Sequence, residues 1–427
     1  MSVNGETLEL ARWQFALTAG THFLFVALTL GLATLVACVQ TWATLTRNPV
    51  HARMTRFWGQ LYVINYAVGI VTGLVMELQI GLNWSGLTHF AGNVFGSALA
   101  METLVAFFIE STFLGLWIFG WNRLNRWAHL TLIWIVTLTA YASAYWIMVS
   151  NGFLQNPVGY RLDGKSLVLT DVGAVLANPN SILAFFHILG GALVTASFFM
   201  AGVSAYHLRR GHADSEGFRR SLRIGVGVSL PALMFTVTLG GMQFDIPGQS
   251  EQAFKSAAFG GSAEEVARVQ ADLVARFGPG DYLPPAALVD GAATLMMAAW
   301  AVMMLISGLS VLLMSFRRVV SRLRVWHWLL MLAIPLPFVS MISGWVYREV
   351  GRQPWAVNEL LLVRDAVSDL SPGTMRLSIT AFGVVFAALV VLNYWLLARQ
   401  ARRGPEGVAL GAPTAPDERP APAAVTF

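Results

Sequence analysis

The chain has 427 residues, of which 56% are hydrophobic and only 12% are charged, whereas about a quarter of the residues in an ordinary soluble domain are charged. This composition excludes a soluble globular protein and predicts a chain that lies largely in lipid. The net charge of +5 comes from basic residues in the links between apolar segments, so it indicates membrane topology and argues against nucleic-acid binding.

Nine apolar segments are each long enough to cross a hydrocarbon core, which requires about 20 residues of helix. The first is too long for a cleaved signal peptide, and no basic residue occurs within residues 1–10. We therefore predict an all-α polytopic membrane protein, a nine-helix bundle over residues 1–403. In chain order the segments cover about 14–44, 58–80, 94–119, 128–149, 181–206, 222–243, 288–315, 326–346 and 377–398.

The arginines indicate how the bundle is oriented. Cytoplasmic loops carry an excess of Arg and Lys, and here that excess falls in the links after segments 1, 3, 5 and 7 and in the chain after segment 9. Representative residues are Arg53, Arg123, Arg219, Arg318 and Arg399. We therefore expect the N-terminus outside and the C-terminus in the cytoplasm of a bacterium, with the protein in its cytoplasmic membrane.

The link between segments 6 and 7, about 244–287, is far longer than most loops in compact proteins, and such loops often carry function. The Ser-Ala-Glu-Glu stretch at 262–265 has the pattern of a helix capping box, and apolar residues follow it at helical spacing as far as Gly278. A short amphipathic helix on the outer surface is therefore predicted. Residues 404–427 are rich in Pro and Ala and are predicted to form a disordered cytoplasmic tail.

Ionisable residues inside a membrane span are costly unless paired, so each is a candidate functional residue. Only His22 in segment 1 and His187 in segment 5 are embedded, both in the outer third of the membrane. One buried histidine is usually a satisfied core residue, but two at one depth favour metal or haem ligation. We interpret the other six as solvated surface residues at links or helix ends: His51, His89, His129, His207, His212 and His327.

Segment 7 carries Met296 and Met297 at the same outer depth as the two histidines. A methionine thioether can be the axial partner of a histidine in a low-spin haem. A methionine in an apolar helix is more often a packing residue, so this pair alone decides nothing.

Carboxylates complete the set of embedded candidates. Glu102 and Glu110 in segment 3 are eight residues apart, which in a regular helix separates them by roughly 12 Å on neighbouring parts of one face. The outer member could ligate a haem iron and the inner member could relay protons; alternatively, both are hydrogen-bonded between helices. Glu77, near the outer end of segment 2, is as consistent with a structural role as with a functional one. Glu349 lies just beyond segment 8 at the outer level, so the candidates converge on a cofactor cluster near the outer face.

The motifs around these residues resemble subunit I of the cytochrome bd-type quinol oxidases, from Glu9 to about Leu397. The sequence GRQPW at 351–355 is highly specific for that family. The other motifs are RWQFALT at 12–18 followed by His22, GLVME at 73–77, the pattern from Glu102 to EST at 110–112, WIMVSNGFLQNP at 146–157, and PLP at 335–337. Their order across nine spans argues against a chance match.

The resemblance implies three haems. His187 and Met297 match the ligands of a low-spin haem b, and a high-spin haem b is paired with a third haem, d or b, where dioxygen is reduced to water. His22, Glu102 and Glu349 match residues near those two irons, without indicating which residue holds which haem.

The resemblance also implies roles for residues that do not ligate iron. Glu110 matches the proton-channel acid, while Arg12, Arg352 and Trp345 match residues beside the haems. A guanidinium there can bind haem propionates through two parallel hydrogen bonds. The implied partners are a second helical subunit, a small single-helix subunit, quinol, dioxygen and membrane lipid, with no nucleic acid.

Two positions depart from the family. In the long outer loop Gln252 and Lys255 match residues associated with quinol oxidation, but the expected Glu position is Gly260; the Arg expected two residues before Met297 is Leu295. A related haem oxidoreductase with a different electron donor is therefore an alternative. A second alternative, an ion-coupled transporter, predicts repeated or broken helices in matching halves, and the sequence has no such repeat.

Overall fold

A computed structural model describes residues 4–211, 214–246, 249–314 and 323–411, including all their side chains except those of 105 and 106. Within these residues nine helical spans are long and apolar enough to cross a membrane, which confirms the predicted all-α nine-span fold. The spans are Gly5–Thr46, Pro49–Asn83, Ser85–Phe119, Arg126–Gln155, Val172–Arg210, Ser215–Asp245, Ala286–Met314, Arg324–Val350 and Pro372–Gly407.

Several spans consist of more than one helix. A π-helical stretch at Glu102–Phe107 joins α3 to α4 in span 3, and short 3₁₀ turns at Gln243–Asp245 and Gly404–Gly407 end spans 6 and 9. The α-helices are α1 Gly5–Thr46, α2 Pro49–Asn83, α3 Ser85–Met101, α4 Phe108–Phe119, α5 Arg126–Gln155, α6 Val172–Leu176, α7 Pro179–Arg210, α8 Ser215–Met242, α9 Ser250–Ala258, α10 Ala263–Phe277, α11 Ala286–Met314, α12 Arg324–Leu332, α13 Leu336–Val350, α14 Val363–Ala366 and α15 Pro372–Arg403.

Local sequence determines where several long helices begin. An Asn-Pro pair starts α2 and α7, and a Ser-Pro pair starts α15. In each case the polar side chain accepts a hydrogen bond from a backbone N–H of the first turn, and the proline occupies a position where no N–H is needed. Each of these helices therefore has a capped N-terminus.

The core of the bundle surrounds α1, which packs against α2, α5, α7 and α15. Small residues allow the closest approaches: a Cβ added at Gly31 would collide with the carbonyl oxygen of Ala192 on α7. Close backbone contact of this kind is typical of helix packing in membranes. Spans 3 and 9 are largely exposed, so their apolar surfaces must face lipid or another subunit.

Span 8 is interrupted at its proline-rich centre. Helix α12 ends at Leu332 and α13 begins at Leu336 after a turn that contains Pro335, because a proline cannot continue the hydrogen-bond ladder of the preceding helix. Two small antiparallel sheets, which the sequence did not predict, lie in links. Strands β1 Tyr160–Asp163 and β2 Ser166–Leu169 pair before span 5, and β3 Trp355–Val357 and β4 Leu361–Leu362 pair after span 8.

The predicted helix in the long link is present as α10. Ser262 accepts a hydrogen bond from the N–H of Glu265, whose carboxylate accepts one from the N–H of Ser262, and the helix ends before Gly278. The same link contains α9, which the sequence did not predict, and most of its residues are buried.

The expectation that six histidines are solvated is wrong for four of them. His89 is exposed and His212 lies outside the described residues, but His51, His129, His207 and His327 are buried. The physical reason is that the helix ends pack against one another. For example, the ring of His129 contacts the side chain of Gln40 and the carbonyl oxygen of Trp117, both at 2.9 Å.

The predicted disordered tail does not begin at Gly404. Residues 404–411 continue from span 9 and pack on the bundle, where Leu410 is buried and its N–H donates to Gln60 at 3.1 Å. The rest of the predicted tail, 412–427, lies outside the described residues.

Candidate functional site

The ring of His22 is held from one side by α2. Its Nδ1 lies 2.9 Å from the hydroxyl oxygen of Thr72, and that hydroxyl donates its own proton to the carbonyl of Gly69 at 2.8 Å. Nδ1 must therefore be the donor to Thr72, which leaves the lone pair of Nε2 available. A Cβ at Gly73 would lie 3.1 Å from the ring, so the glycine makes room for it.

His187 on α7 is held in the same way by α8. Its Nδ1 lies 2.8 Å from the carbonyl oxygen of Thr236, and since a carbonyl only accepts hydrogen bonds, Nδ1 carries the proton and Nε2 does not. Gly240 makes room for this ring, because a Cβ there would approach it to 3.0 Å. Both embedded histidines are thus oriented as metal-ligating histidines are, with Nδ1 anchored and Nε2 free.

The adjacent Met296 and Met297 of α11 lie on different sides of the helix. The sulfur of Met296 lies against α13, where a Cβ at Gly344 would be 2.9 Å from it. The indole of Trp300 donates to the carbonyl of Leu233 on α8 at 3.2 Å, and Met297, three residues before Trp300, lies on the same helix face. Helical spacing therefore places Met297 towards α8, the helix that holds His187.

Glu102 belongs to a carboxylate network at the start of the π-helical stretch. Ser143 donates to Glu102 Oε1 at 2.6 Å, and the hydroxyl of Thr103 lies 2.5 Å from Glu77 Oε1 and 3.2 Å from Glu102 Oε2. One hydroxyl therefore connects two acids. The regular helix assumed between Glu102 and Glu110 is wrong, because π-helical turns intervene, and such turns are frequent at functional sites.

Glu110 is buried without a hydrogen-bond partner for its Oε1. The hydroxyls of Tyr62, Tyr66 and Ser111 are also buried without a well-aligned hydrogen bond, although the Tyr66 hydroxyl lies close to both Glu110 and Ser111. Buried polar groups are normally satisfied by protein or by ordered water. This cluster could therefore hold water and protons inside an otherwise apolar bundle.

A buried ionic cluster lies at the end of span 8. Arg348 Nε donates to the Asn151 side chain at 2.8 Å, Asn151 donates to Glu349 Oε1 at 2.8 Å, and Arg352 Nη2 donates to Glu349 Oε2 at 2.7 Å. Both oxygens of Glu349 thus already accept hydrogen bonds. Any ligation of iron by Glu349 would have to use its remaining lone pairs.

The two arginines of this cluster, Arg348 and Arg352, differ in how many of their N–H donors remain unpaired. Arg352 also donates to the carbonyls of Trp355 and Ala356, so most of its donors are used within the protein. Arg348 donates from Nη1 to Gln243 at 3.0 Å, but its Nη2 is buried without a partner. Arg348 is therefore the better candidate for an anionic ligand. In the sequence Arg348 directly precedes Glu349, and this position marks it as a further candidate residue.

Trp345 and Arg12 lie near the start of α1. The Trp345 ring is 6.1 Å from that of Phe15 and adjoins Gly20, two residues before His22. Arg12 donates to Glu9 at 2.9 Å and keeps a buried Nε without a partner.

The helix α9 brings residues of the long link to the same ionic cluster. Lys255 is buried, with its ammonium 3.5 Å from the carbonyl of Arg348 and 5.4 Å from the centre of the Tyr347 ring. A Cβ at Gly351 would collide with Lys255 Cε, which explains the glycine of the GRQPW motif. Gln252 is also buried. Burial lowers the pKa of Lys255 to about 8.

The predicted residues therefore fall in distinct places. Glu349, Arg352, Lys255 and Gln252 lie together at the end of span 8 and on α9, and Trp345 lies beside the turn of α1 that carries His22. Within the described residues no three His, Cys, Asp or Glu side chains converge to hold a metal ion directly.

Comparison with known proteins identifies relatives along nearly the whole chain. The family model for "Cytochrome bd terminal oxidase subunit I" matches residues 10–279 and 274–405. The chain is 35% identical to "Cytochrome bd ubiquinol oxidase subunit 1" of Bacillus subtilis (strain 168), over 93% of this chain and 94% of that protein. It is 30% identical to "Cytochrome bd-II ubiquinol oxidase subunit 1" of Escherichia coli (strain K12), over 96% and 99%. The solved structure of bd oxidase from Geobacillus thermodenitrificans has the same fold, with a TM-score of 0.82 at 24% identity over 93% of this chain and 99% of that one.

Proposed function

Because the chain belongs to the cytochrome bd terminal oxidase subunit I family, we propose that it oxidises quinol at the outer face of the membrane and reduces dioxygen to water with protons from the cytoplasm. The chain is an oxidoreductase and a multi-pass bacterial membrane protein that uses haem and works with a second subunit. The donor, the haem types, a small third subunit and the orientation of the termini are part of the proposal.

The observation that carries the proposal is the shared orientation of the two embedded histidines. Each has Nδ1 anchored to a neighbouring helix, which leaves Nε2 free for iron. We assign His187 and Met297 to a low-spin haem b, since His187 is anchored to α8 and helical spacing places Met297 towards the same helix. His22, Glu102 and Glu349 are assigned to a high-spin haem b and a third haem, d or b. Bound haem supplies the electron transfer and oxygen chemistry, and the protein supplies ligands, distances and proton access.

Arginines at the end of span 8 are placed to hold anionic groups. The buried Nη2 of Arg348 has no partner within the protein, and a guanidinium binds carboxylates through paired hydrogen bonds. Arg348 would therefore bind a haem propionate, while Arg352 would orient Glu349 through their ion pair. Trp345 and Arg12 would border the haem next to His22.

Glu110 would pass protons from the cytoplasmic side towards the oxygen site. Its Oε1 and the neighbouring hydroxyls of Tyr62 and Tyr66 are buried without a well-aligned hydrogen bond, and Tyr66 lies close to Glu110, as expected of groups that exchange protons through internal water. With the N-terminus outside, donor protons leave to the outside and protons for water enter from inside. The reaction then separates charge across the membrane without a pump.

Gln252 and Lys255 would orient the quinol, because α9 buries both beside the ionic cluster. The two departures from the family favour an alternative electron donor. Gly260 and Leu295 replace a glutamate and an arginine of the family, and both residues are exposed, so neither position contributes a buried polar group. That alternative preserves the haem chemistry and changes only the source of electrons.

The purified complex tests this proposal. We expect haem bands in a reduced-minus-oxidised spectrum, three haems per complex on extraction, and rapid oxygen uptake with a reduced short-chain quinol. Negligible uptake by a complex with fully reducible haems would reject quinol and favour the alternative donor. A complex without haem would reject the oxidase function.

A further inference from the structure

We propose that Glu251 is the base that accepts protons from the electron donor. It would replace the glutamate that the family has at the position of Gly260. This inference rests on the proposed quinol oxidation and assigns to it a catalytic residue. The sequence alone leaves Glu251, Glu264 and Glu265 as equal candidates in the long link, and the structure distinguishes them.

The geometry excludes the other acids of the link. Glu264 and Glu265 are exposed on α10, and Glu265 is engaged in the capping box with Ser262. The remaining acids of the link, Asp245, Asp272 and Asp281, are exposed as well. Gly260 is exposed with φ +133°, and a Cβ added there would have no atom within 4 Å. A glutamate at 260 would therefore have a strained backbone and an exposed side chain.

Glu251 is only 4% exposed and is held so that one carboxylate oxygen is fixed and the other is free. The side chain of Gln155, oriented to satisfy both neighbours, donates to Glu251 Oε1 at 3.2 Å and accepts from Arg352 Nε at 3.3 Å. Oε2 is buried without a partner. Lys255 lies one turn further along the same helix and could orient the donor's oxygen.

A small cavity adjoins Glu251 between α9, α10 and the chain after span 8. It is lined by Glu251, Arg352, Gln353, Tyr282 and Trp355, among others. The rings of Tyr282 and Trp355 are stacked, with centroids 5.6 Å apart and planes at 9°. The cavity has a volume of about 10 Å³, enough for one water molecule, and a general base can take up a proton through one such water.

The chemistry balances with haem as oxidant. Oxidation of a hydroquinone to a quinone breaks two O–H bonds and releases two protons and two electrons. Bound haem would supply the oxidant that accepts the two electrons, and Glu251 would accept each proton, releasing the first to the outer water before it accepts the second. Glu251 must therefore be ionised when the donor arrives.

Several charges determine when Glu251 is ionised. Burial raises its pKa to about 7, while Lys255, Arg348 and Arg352 oppose the rise and Glu359 adds to it. Tyr282 is the other titratable group that faces the cavity. Because the base is active above its pKa, kcat/KM for quinol should increase as pH rises through about 7.

The test compares Glu251→Gln with Glu264→Gln, a matched loss of one carboxylate on the exposed surface of the same link. Each is measured in the full complex, with a reduced short-chain quinol and with an electron donor that loses no protons on oxidation. We expect Glu251→Gln to lower quinol kcat/KM by about 100-fold and to abolish its rise near pH 7. Haem content and oxygen uptake with the donor that loses no protons should stay normal. Glu264→Gln should match the wild type in all of these measurements.

Three outcomes would overturn the inference. Glu251→Gln with wild-type quinol kinetics and pH profile would reject Glu251 while leaving quinol oxidation intact. Equal losses with both donors would show that Glu251 is structural. A wild-type complex with full haem content but no quinol oxidation would reject the proposed function, and the role of Glu251 with it.

Discussion

Arg352 donates to Glu349 across 2.7 Å one helical turn away, and the two side chains are only 8% and 10% exposed. This ion pair joins the end of span 8 to the GRQPW motif. Removing one member of a buried pair leaves an uncompensated charge in a medium of low dielectric constant, which is far more costly than breaking a pair at the surface.

Arg352→Leu should therefore lower the free energy of unfolding by about 3–5 kcal/mol, as measured by detergent titration of the purified complex in mixed micelles. The matched control is Arg376→Leu, because Arg376 pairs with Glu6 at an exposed site, and it should cost at most about 1 kcal/mol. Equal destabilisation by the two variants would show that burial does not govern this pair.

Met297→Ala should convert the low-spin haem into a five-coordinate, high-spin centre, because the thioether on the α8 side of α11 is lost. Met296→Ala is the control, since its sulfur packs against Gly344 of α13, and it should keep the low-spin band. Optical spectra of the reduced complexes distinguish the two. The opposite pattern would assign the ligand to Met296.

Glu110→Gln should slow oxygen reduction while haem content stays normal, because an amide cannot take up and release protons at a buried relay position. We expect a loss of about 100-fold or more, on the order of general acid–base contributions, in oxygen uptake with a saturating donor. Glu216→Gln changes an exposed acid that pairs with Arg220 and should leave turnover unchanged. Full turnover in Glu110→Gln would return this residue to a structural role.

Gly31→Ala should weaken the bundle, because the new methyl group would collide with the carbonyl oxygen of Ala192 and would push α1 away from α7. Overpacking of this kind costs about 1–3 kcal/mol and should appear as a lower midpoint in the same detergent titration. Gly81→Ala, where nothing lies within 4 Å, should be neutral or slightly stabilising. Similar midpoints for both variants would contradict the close packing of α1 on α7.

The features that follow from local chemistry were predictable from the sequence. Nine spans follow from the length of the apolar segments, because only a helix satisfies its own backbone in lipid. The start of α10 follows from Ser262 and Glu265, which cap it through contacts three residues apart. The embedded positions of His22 and His187 follow from the segments that contain them. The family resemblance rests on motifs of the same local kind.

The tertiary structure alone decided which residues in the links and at the ends of the spans are buried. Glu251 and Lys255 belong to a link that reads as polar, yet α9 places them against Arg352 and Gly351, about a hundred residues later in the chain. The same applies to His129, which is buried by contacts with α1 and α4. Burial and electrostatic environment depend on which distant segments pack together, and hydropathy patterns carry no record of those contacts.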